Sequence, residues 1–302
     1  MGVAVRVLLT GALGYIGSPV VRALHAAGHH VTGLDTGWFV HQFAEPPAWP
    51  DRLVMADIRT RQGAERFDAV VHLAGLSNDP MGALDPTLTE DINFYGTVRL
   101  MAQYPRARHV VVSSASVYGA VEMADETTPT APLSVYARCK AAVDVEAARY
   151  DAVSLRLGTV YGYAPGHRTD LVLNAMCAAP SHITARGNAR RPIVHVDDVA
   201  SVIACMLGRT ERGVYNVVGH NVTVGELAER VQAATGARIL YEQADDPRDY
   251  WCAGDRLAAL WSPSHTDLDA DIRALAGRDL PPREYRRLPA LLELGVLTKE
   301  AA

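Results

Sequence analysis

The sequence predicts an α/β fold built around a parallel sheet that helices cover on both faces. Short apolar runs rich in β-branched residues alternate with segments of helical periodicity over the first half of the chain. These runs are apolar at consecutive positions, as expected for strands that are buried on both faces. A glycine-rich turn between the first run and the first helical segment is typical of the same fold class.

The predicted strands and helices follow one another along the chain. The predicted strands span residues 3–10, 31–35, 53–56, 69–73, 109–114, 152–157 and 214–218. The predicted helices span residues 15–27, 86–104 and 134–149. Because helical connections between successive strands produce parallel neighbours, this order indicates one large sheet.

The second half of the chain is less regular, and we expect a domain division there. Residues 161–170 are rich in Gly, Pro and Tyr, which is typical of a loop. We assign residues 1–160 to the first domain, with 190–220 returning to it, and residues 161–302 mainly to a second domain. The aromatic-rich segment 36–51 is either a surface loop or a wall of a cofactor or subunit site.

Composition and charge argue against several classes of protein. The chain has 302 residues, of which 49% are hydrophobic and 21% charged, so it can bury a large core. The net charge is −5 and no basic stripe is present, which argues against nucleic acid as a partner. Four widely spaced cysteines without a CxxC pair indicate reduced thiols. Without a signal-peptide pattern or an apolar run of about 18 residues, we expect a cytoplasmic protein with no membrane span.

A glycine-rich turn follows the first predicted strand and opens the first predicted helix. Its sequence, TGALGYIG, covers residues 10–17. The first glycine permits the tight turn, the second lets the backbone approach a pyrophosphate, and the third allows close packing of the helix on the strand. The free N–H groups and positive dipole end of the helix then face the phosphates. The predicted dinucleotide contacts are Gly11, Leu13, Gly14, Tyr15, Ile16 and Gly17.

Asp35 ends the second predicted strand, 18 residues after Gly17. A carboxylate at this position accepts hydrogen bonds from the adenosine ribose hydroxyls and repels the 2′-phosphate of NADP. No basic residue directly follows Asp35, so the sequence favours NAD as the cofactor. The alternative is a solvated aspartate in a turn.

Further cofactor contacts are predicted after the third and fourth strands. Asp57 and Ile58 are expected to contact the adenine edge, although Asp57 also suits a helix N-cap. Asn93 lies in a predicted helix, where it braces the sheet, carries a water near the site or is an ordinary polar position. Small residues at the end of the fourth strand let a cofactor cross the strand ends. The predicted contacts there are Leu73, Ala74 and Gly75.

Tyr136 and Lys140 lie four residues apart on a predicted helix and therefore share one face. An ammonium group near a phenol favours the phenolate, so we expect Lys140 to lower the pKa of Tyr136. Tyr136 then becomes a usable acid or base near neutral pH, where a free tyrosine with a pKa of about 10 is poor. A Tyr-x-x-x-Lys pair is common by itself, but this helix follows the fifth strand, which ends in the residues SSAS at 113–116.

Five segments in order along the chain point to one family. The segments are TGALGYIG, HLAG, SSASVYG, YARCK and RPIVHVDDVA. Together they resemble the extended short-chain dehydrogenase/reductase family, especially its nucleotide-sugar epimerases and dehydratases, over Val5 to about Leu260. The resemblance implies a Rossmann doubly wound parallel sheet with a smaller C-terminal substrate-binding domain. It also implies NAD as the cofactor, a nucleotide-diphosphate sugar as the substrate, and a homodimer.

The resemblance also implies a catalytic set. Tyr136 corresponds to the catalytic acid/base, and Lys140 to its partner, which also holds the nicotinamide ribose. Ser114 corresponds to the hydroxyl that bonds the reacting sugar oxygen, with Ser116 as a second candidate. The family's 4,6-dehydratases have an acidic residue where this chain has Ser116, so its absence argues against dehydration. The local sequence Ser-Ala-Ser is closer to the Ser-Ala-Thr of sugar 4-epimerases.

Substrate-binding residues are expected mainly in the second half of the chain. Arg191 and Arg248 resemble arginines near the nucleotide diphosphate, to which forked guanidinium groups are suited, although solvated surface arginines are the alternative. Asn174 is expected to bond the substrate phosphate or sugar, and Ser77 to line the sugar pocket. His195 is interpreted as buried and structural, and no cluster of metal ligands is recognised in the sequence.

These features predict an NAD-dependent nucleotide-sugar epimerase that acts at C4 through a transient 4-keto sugar. A 4-ketoreductase or dehydrogenase, or a dehydratase, begins with the same hydride chemistry and stays an alternative. A non-catalytic NAD-binding regulator is disfavoured, because such regulators commonly lose the tyrosine that this chain retains as Tyr136.

Overall fold

The computed structural model of the chain describes residues 4–39, 45–60, 63–179, 181–244 and 246–278. The strands are β1 (Arg6–Thr10), β2 (His30–Asp35), β3 (Arg52–Met55), β4 (Ala69–His72), β5 (Arg108–Ser114), β6 (Val121–Ala124), β7 (Ala152–Leu157), β8 (Thr159–Tyr161), β9 (His182–Arg186), β10 (Arg190–His195), β11 (Gly213–Val217), β12 (His220–Thr223), β13 (Arg238–Glu242) and β14 (Tyr250–Cys252). The α-helices are α1 (Gly17–Ala26), α2 (Asp79–Leu84), α3 (Pro86–Glu90), α4 (Thr97–Gln103), α5 (Val135–Ala147), α6 (Val172–Cys177), α7 (Val196–Leu207), α8 (Val224–Thr235), α9 (Asp255–Ala258) and α10 (Leu268–Ala276).

Seven of these strands form a central sheet in the order β11-β7-β5-β4-β1-β2-β3. Every neighbouring pair in this sheet runs parallel. The chain adds β2 and β3 on one side of β1, and then adds β4, β5, β7 and β11 on the other side. This is the predicted doubly wound sheet, and it opens a crevice at the carboxyl ends of β1 and β4.

The central strands are buried on both faces. Val7, Leu8 and Leu9 of β1 have no exposed surface. Val7 and Leu9 belong to the core cluster that includes residues of α1 and α7, whereas Leu8 belongs to a cluster that includes Leu100 of α4. Because successive side chains of a strand point to opposite faces, a sheet covered by helices on both sides requires a continuous apolar run.

Three small sheets involve mainly the second half of the chain. In these sheets β10 pairs with both β12 and β8, β13 pairs with β9, and β14 pairs with β6 of the first half. A separate core holds much of this part together, and its members include Ile183, Leu227 and Ile272. α8 begins with a capping box, in which Thr223 and Glu226 each bond the other's backbone N–H. Within this half, α7 packs into the core of the central sheet and β11 pairs with β7 at its edge.

The helix predicted over residues 86–104 is present as a continuous helical run over residues 86–103, but a turn at its centre departs from the regular α-helix. A π-helical turn at Asp91–Gly96 separates α3 from α4, and α2 precedes them. Gly96 lies against Ile58, since a Cβ at this glycine would come within 2.9 Å of the Ile58 side chain. A π-turn adds one residue to a helical turn, so it shifts the positions that share a face away from the regular 3.6-residue period. Simple periodicity therefore does not predict it.

The state of the cysteines agrees with the sequence-based expectation. Cys139, Cys177, Cys205 and Cys252 are all free thiols. Burial raises the pKa of Cys177 and of Cys252 to about 12, which keeps both thiols protonated and unreactive. Over the described ranges, no helix combines the length and apolar character needed to cross a bilayer.

A buried ion pair ties α5 to the central sheet. Arg156 of β7 donates from Nε to Asp144 of α5 at 2.8 Å, and the two side chains are only 8% and 4% exposed. Arg156 also donates to the Tyr118 hydroxyl at 2.9 Å, and that hydroxyl donates to Asn216 at 2.8 Å. This network holds in place the helix that carries the predicted tyrosine–lysine pair.

Replacing Asp144 with Asn should lower the free energy of unfolding by about 3 kcal/mol, because the Arg156 charge then stays buried without its counter-charge. Urea denaturation measures the change. The matched control is Glu146→Gln on the same helix, which removes the partner of Arg149, whose side chain is 72% exposed. This control should cost no more than about 0.5 kcal/mol. Equal losses in the two variants would contradict the importance of the buried pair.

Candidate active site

A cavity of about 810 Å³ opens at the carboxyl ends of the central strands and extends between them and the second half of the chain. Its lining combines the glycine loop, the ends of β2, β4 and β5, part of α5, and residues of β9, β10 and the β13–β14 connection. A crevice at the switch point of a doubly wound sheet is where such folds bind ligands. One continuous cavity therefore contains most of the predicted cofactor and substrate residues.

The glycine loop folds tightly against the end of β4. Gly11 has a φ of 70°, and a Cβ there would lie 2.8 Å from the backbone N of Ala74. A Cβ on Gly17 would lie 2.3 Å from the Gly11 carbonyl oxygen. Only glycine fits such close backbone contacts. All six predicted loop contacts line the cavity, and α1 begins there.

Asp35 connects β2 to the glycine loop. Its carboxylate accepts the N–H of Leu13 at 2.9 Å and the N–H of Gly37 at 2.8 Å. Burial raises the pKa of Asp35, although these backbone hydrogen bonds act in the opposite direction. The carboxylate lines the cavity, so the same group can hold the loop and accept hydroxyl donors from a ligand.

The described start of the segment 36–51 is a wall of the cavity. Trp38 is 6% exposed, and it lines the cavity together with Phe39. Trp49 is 55% exposed, while Phe43 lies outside the described residues. Of the two interpretations of this segment, the structure favours the cavity wall at Trp38 and Phe39 and the surface loop at Trp49.

Asp57 and Ile58 lie shortly after β3 and line the cavity, as expected for adenine contacts. Ile58 is 5% exposed and offers an apolar surface. Asp57 accepts the backbone N–H of Arg59 at 2.8 Å and its Nη2 at 2.7 Å. A ligand that bonds this carboxylate must therefore share it with Arg59.

Small residues follow β4 where the cofactor is expected to cross. Leu73, Ala74 and Gly75 all line the cavity. The Thr10 hydroxyl accepts the N–H of Leu73 at 3.2 Å and the N–H of Ala74 at 3.1 Å. The ends of β1 and β4 are thereby joined by a side chain that leaves the cavity free.

Asn93 lies behind this segment, and its assignment as a cofactor contact is corrected. It is 2% exposed and bonds both backbone groups of Leu76, at 2.8 and 2.9 Å. A Cβ on Gly75 would come 2.9 Å from the Asn93 Oδ1. Of the three roles considered for Asn93, bracing the backbone is the one that these contacts support.

Ser114, Ser116 and Tyr136 meet at the end of β5. The two serine hydroxyls lie 2.9 Å apart, and all three residues line the cavity. Burial raises the pKa of Tyr136 to about 12, while its hydrogen bond with Ser114 acts in the opposite direction. Tyr136 is therefore a neutral phenol at pH 7 in this arrangement.

Lys140 does not lower the pKa of Tyr136 as predicted. Its ammonium donates to the Val112 carbonyl at 2.7 Å and lies 5.7 Å from the centre of the Tyr136 ring. Burial is the main cause of the raised pKa of Tyr136, with smaller effects from Asp79, which raises it, and Arg168, which lowers it. A spacing of four residues places two side chains on one helix face, but the contacts of each decide where its polar end points.

A strained corner of the cavity lining follows β4. Asn78 has a φ of 83°, and among the described residues it is the only non-glycine residue with a positive φ. It accepts the N–H of Met81 at 2.9 Å and donates to Asp170 at 2.7 Å. Arg168 pairs with the same aspartate and donates to the Ser77 hydroxyl at 2.5 Å. Strain of this kind is typical of functional sites.

Arg191 and Arg248 both line the cavity and converge on Asp246. Arg248 bonds the two carboxylate oxygens of Asp246 at 2.8 and 2.7 Å, and Arg191 pairs with the same carboxylate. Arg248 also donates to Asp79 at 2.6 Å. Asp79 accepts from Ser134, the N-cap of α5. The Arg191 side chain is 11% exposed, so the alternative of a solvated surface arginine is wrong for it.

Asn174 does not line the cavity, and its assignment to substrate binding is corrected. It has no exposed surface. Its amide accepts the Gly162 N–H at 3.0 Å and donates to the Arg168 carbonyl at 3.0 Å and to the Tyr15 hydroxyl at 3.3 Å. The side chain therefore holds the segment after β8 against the glycine loop.

Sequence reasoning assigned no individual role to five charged residues of the cavity lining. They are Asp79, Arg168, Asp170, Arg186 and Asp246. The pair Arg168–Asp170 and the position of Asp79 just after HLAG are local signals that could have found three of them. Asp246 is likewise two residues from one partner, Arg248, but its other partner, Arg191, is 55 residues away and has no local signal.

His195 lies in a cluster that the sequence analysis did not recognise. Ligand atoms of His195, Asp197 and His265 lie within 4.8 Å of one another. His195 accepts the N–H of Asp197 at 3.2 Å, where it caps α7, and its ring stacks on His265 with 3.5 Å between ring centres. Stacked rings hold their nitrogen lone pairs in parallel planes, which do not converge on one ion. These contacts favour the structural interpretation of His195.

Replacing Gly17 with Ala should weaken NAD binding at least about tenfold, because the new methyl group forces the Gly11 and Ala12 carbonyls out of the phosphate-binding loop. Titration calorimetry measures the affinity. The control is Gly208→Ala, whose Cβ would meet no atom closer than 3.8 Å. Unchanged NAD affinity in the Gly17 variant would rule out the proposed phosphate loop.

Replacing Lys140 with Met should raise the melting temperature at pH 7, because burial disfavours the ammonium. Burial lowers the pKa of Lys140 to about 8, below its ordinary value of 10.5. Between these values the unfolded chain binds more protons than the folded protein, so the stability of the wild type rises with pH. The stability advantage of the variant is therefore full below about pH 8 and vanishes above 10.5.

Thermal melts across this pH range test the prediction. The control is Arg138→Met, at an exposed position of the same helix. A constant difference across the range would contradict it.

Two relatives of known name match most of this chain. The UDP-glucose 4-epimerase of Azospirillum brasilense is 28% identical over 316 aligned positions, which cover 89% of this chain and 90% of that protein. The 2'-dehydrokanamycin reductase of Streptomyces kanamyceticus is 32% identical, over 76% of this chain and 67% of that protein.

Solved structures and family models give the same result. The UDP-glucose 4-epimerase of Thermus thermophilus, solved in complex with NAD, superposes with a TM-score of 0.75 at 28% identity, over 90% of this chain and 97% of that one. The model of the NAD dependent epimerase/dehydratase family matches residues 7–218. This confirms the resemblance on which the cofactor assignment depends. The chain therefore belongs to the NAD dependent epimerase/dehydratase family and is an enzyme that uses NAD.

Proposed function

We propose that this enzyme is a nucleotide-sugar epimerase, which inverts C4 of the sugar through a transient 4-keto form. The observation that carries the proposal is one cavity that contains both Ser114 and Tyr136 and, farther along, Arg191 and Arg248. The first two suit proton transfer at a sugar hydroxyl. The two arginines suit a diphosphate, which accepts forked hydrogen bonds from guanidinium groups.

The residues of the sheet side fit NAD. The glycines of the loop expose backbone N–H groups to the cavity. Asp35 can accept hydrogen bonds from ribose hydroxyls, and its negative charge would repel a 2′-phosphate. NAD held by these residues would supply reversible hydride acceptance at the sugar C4. Among the protein residues, Lys140 stays a candidate for holding the nicotinamide ribose.

Tyr136 moves the proton that accompanies each hydride transfer. As phenolate it takes the proton of the C4 hydroxyl, and as phenol it returns a proton to the keto oxygen. Ser114, bonded to Tyr136, holds the same oxygen in both steps. Because burial favours the neutral phenol, the protein by itself prepares the proton-donating form.

Ser116 supports epimerisation over dehydration. Loss of water from a keto sugar needs an acid to protonate the departing hydroxyl. Ser116 is a hydroxyl at the position where the family's dehydratases have an acid, and it is engaged with Ser114 at 2.9 Å.

A second candidate is the reduction of a ketone on a glycoside that carries no nucleotide. The relative from Streptomyces kanamyceticus is named as a 2'-dehydrokanamycin reductase. The neutral phenol of Tyr136 is the form that a ketone reductase requires, since it donates the proton to the carbonyl oxygen. Arg191 and Arg248 are also already neutralised by carboxylates, which weakens the attraction of the cavity for a diphosphate.

We further propose that the enzyme is a cytoplasmic homodimer, as the family resemblance implies. Tyr95 and Val145 are 61% and 67% exposed. They lie on the π-helical turn and on α5, so apolar surface is present on helices that pack beside the central sheet. The proposed pairing would cover these two side chains.

The proposal is tested by incubating the purified protein with UDP-, dTDP-, GDP- and CDP-sugars and following NADH absorbance beside mass spectrometry and NMR. We expect an isomer of unchanged mass without net NADH. Loss of two hydrogens with NADH formation would indicate a dehydrogenase, and loss of water a dehydratase. Turnover of a keto-glycoside with NADH, without turnover of any nucleotide sugar, would establish the second candidate instead.

In the same assay, Tyr136→Phe should reduce turnover by at least about a hundredfold, because it removes the group that moves the proton. NAD affinity should be preserved, since the glycine loop is untouched. The control is Tyr241→Phe, which removes a hydroxyl from a tyrosine that is 64% exposed and lies outside the cavity lining. Full activity in the Tyr136 variant would remove this residue from the mechanism.

A further inference from the structure

Asp246 occupies the place between the two arginines where the proposed function puts a diphosphate. It accepts the backbone N–H of Arg248 at 3.0 Å, its Nε at 2.8 Å and its Nη2 at 2.7 Å. Arg191 donates from Nη2 to the same carboxylate. A planar anion held by two guanidinium groups reproduces the hydrogen-bonding pattern of a bound phosphate.

The charges in this part of the cavity cancel. Arg191 and Arg248 contribute two positive charges, and Asp246 and Asp79 contribute two negative charges. Although burial alone would raise the pKa of Asp246, hydrogen bonds from Arg248 hold it below the ordinary value, so the carboxylate is ionised at pH 7. A sugar nucleotide, with one negative charge on each phosphate, therefore meets a neutral cluster rather than a positive one.

We propose that Asp246 is an internal counter-ion that occupies the diphosphate subsite and must be displaced from the arginines when substrate binds. This inference rests on the proposed function. The carboxylate keeps two arginines, with side chains 11% and 37% exposed, oriented and paired without substrate. Desolvated guanidinium groups without a partner are costly, so the pairing keeps the empty site folded in its binding geometry.

Because the diphosphate must displace Asp246, its binding free energy is the difference between its own pairing with the arginines and the pairing of Asp246 with them. The diphosphate gains the hydrogen bonds of Arg191 and Arg248, while the protein loses those of Asp246. In addition, two like charges that share one cluster repel strongly where water is partly excluded. Asp246 therefore weakens diphosphate binding relative to the same site without the carboxylate.

The experiment compares binding of UDP and of inorganic pyrophosphate to the NAD-loaded protein by titration calorimetry. Asp246→Asn removes the charge and keeps the shape, so both probes should bind about tenfold more tightly than to the wild type. Asp246→Glu keeps the charge and should bind no more tightly than the wild type. The matched control is Asp249→Asn, three residues after Asp246. It removes the charge that pairs with Arg190, and neither residue of this pair lines the cavity.

Unchanged or weaker binding to Asp246→Asn would overturn the proposal, because it would make Asp246 a ligand-binding or structural residue rather than a competitor. Asp246→Ala and thermal melts separate this result from misfolding, since a folded alanine variant must also bind more tightly. The proposed function fails separately, if the wild type turns over none of the sugar nucleotides. Absence of UDP and pyrophosphate binding in every variant would overturn the diphosphate subsite and this proposal with it.

Discussion

The junction between β1 and β4 is the constraint on which the rest of the site depends. The chain leaves these neighbouring strands in opposite directions, so their carboxyl ends open into a crevice. Thr10 joins the two ends through its hydroxyl. Gly11 passes so close to Ala74 that a side chain has no room. The sheet side of the cavity is therefore made largely of backbone, which suits a ligand that needs N–H donors and close approach.

The substrate side of the cavity is built in a different way, from side-chain charges. Arg168 pairs with Asp170, and Arg191 and Arg248 share Asp246. Each pair is partly buried, so an unpaired member would be costly and every ligand must compete with an existing partner. A ligand can bond Arg168, Arg191 or Arg248 only by competing with the carboxylate that already pairs with that arginine.

The sequence predicted the fold and the cofactor loop better than it predicted individual side-chain roles. The glycine spacing, Asp35 and the small residues after β4 all lie at the cavity, because local backbone geometry limits which residues fit there. Asn93 and Asn174 were assigned to ligands but are bonded inside the protein. An asparagine offers donors and acceptors to any neighbour, so its residue type does not reveal its partner. Lys140 shows the same limit, since helical spacing placed it beside Tyr136 without directing its ammonium there.

The sequence by itself determined the features that depend on a few neighbouring residues. These are the buried parallel strands, the glycine turn that opens α1, and a tyrosine and a lysine on one face of α5. The tertiary structure alone decided the π-helical turn, the protonation of Tyr136 and the sharing of Asp246 by two arginines. The physical reason is that pKa values and ion pairs depend on burial and on charges brought together from distant parts of the chain. Periodicity and local spacing carry no information about those distances.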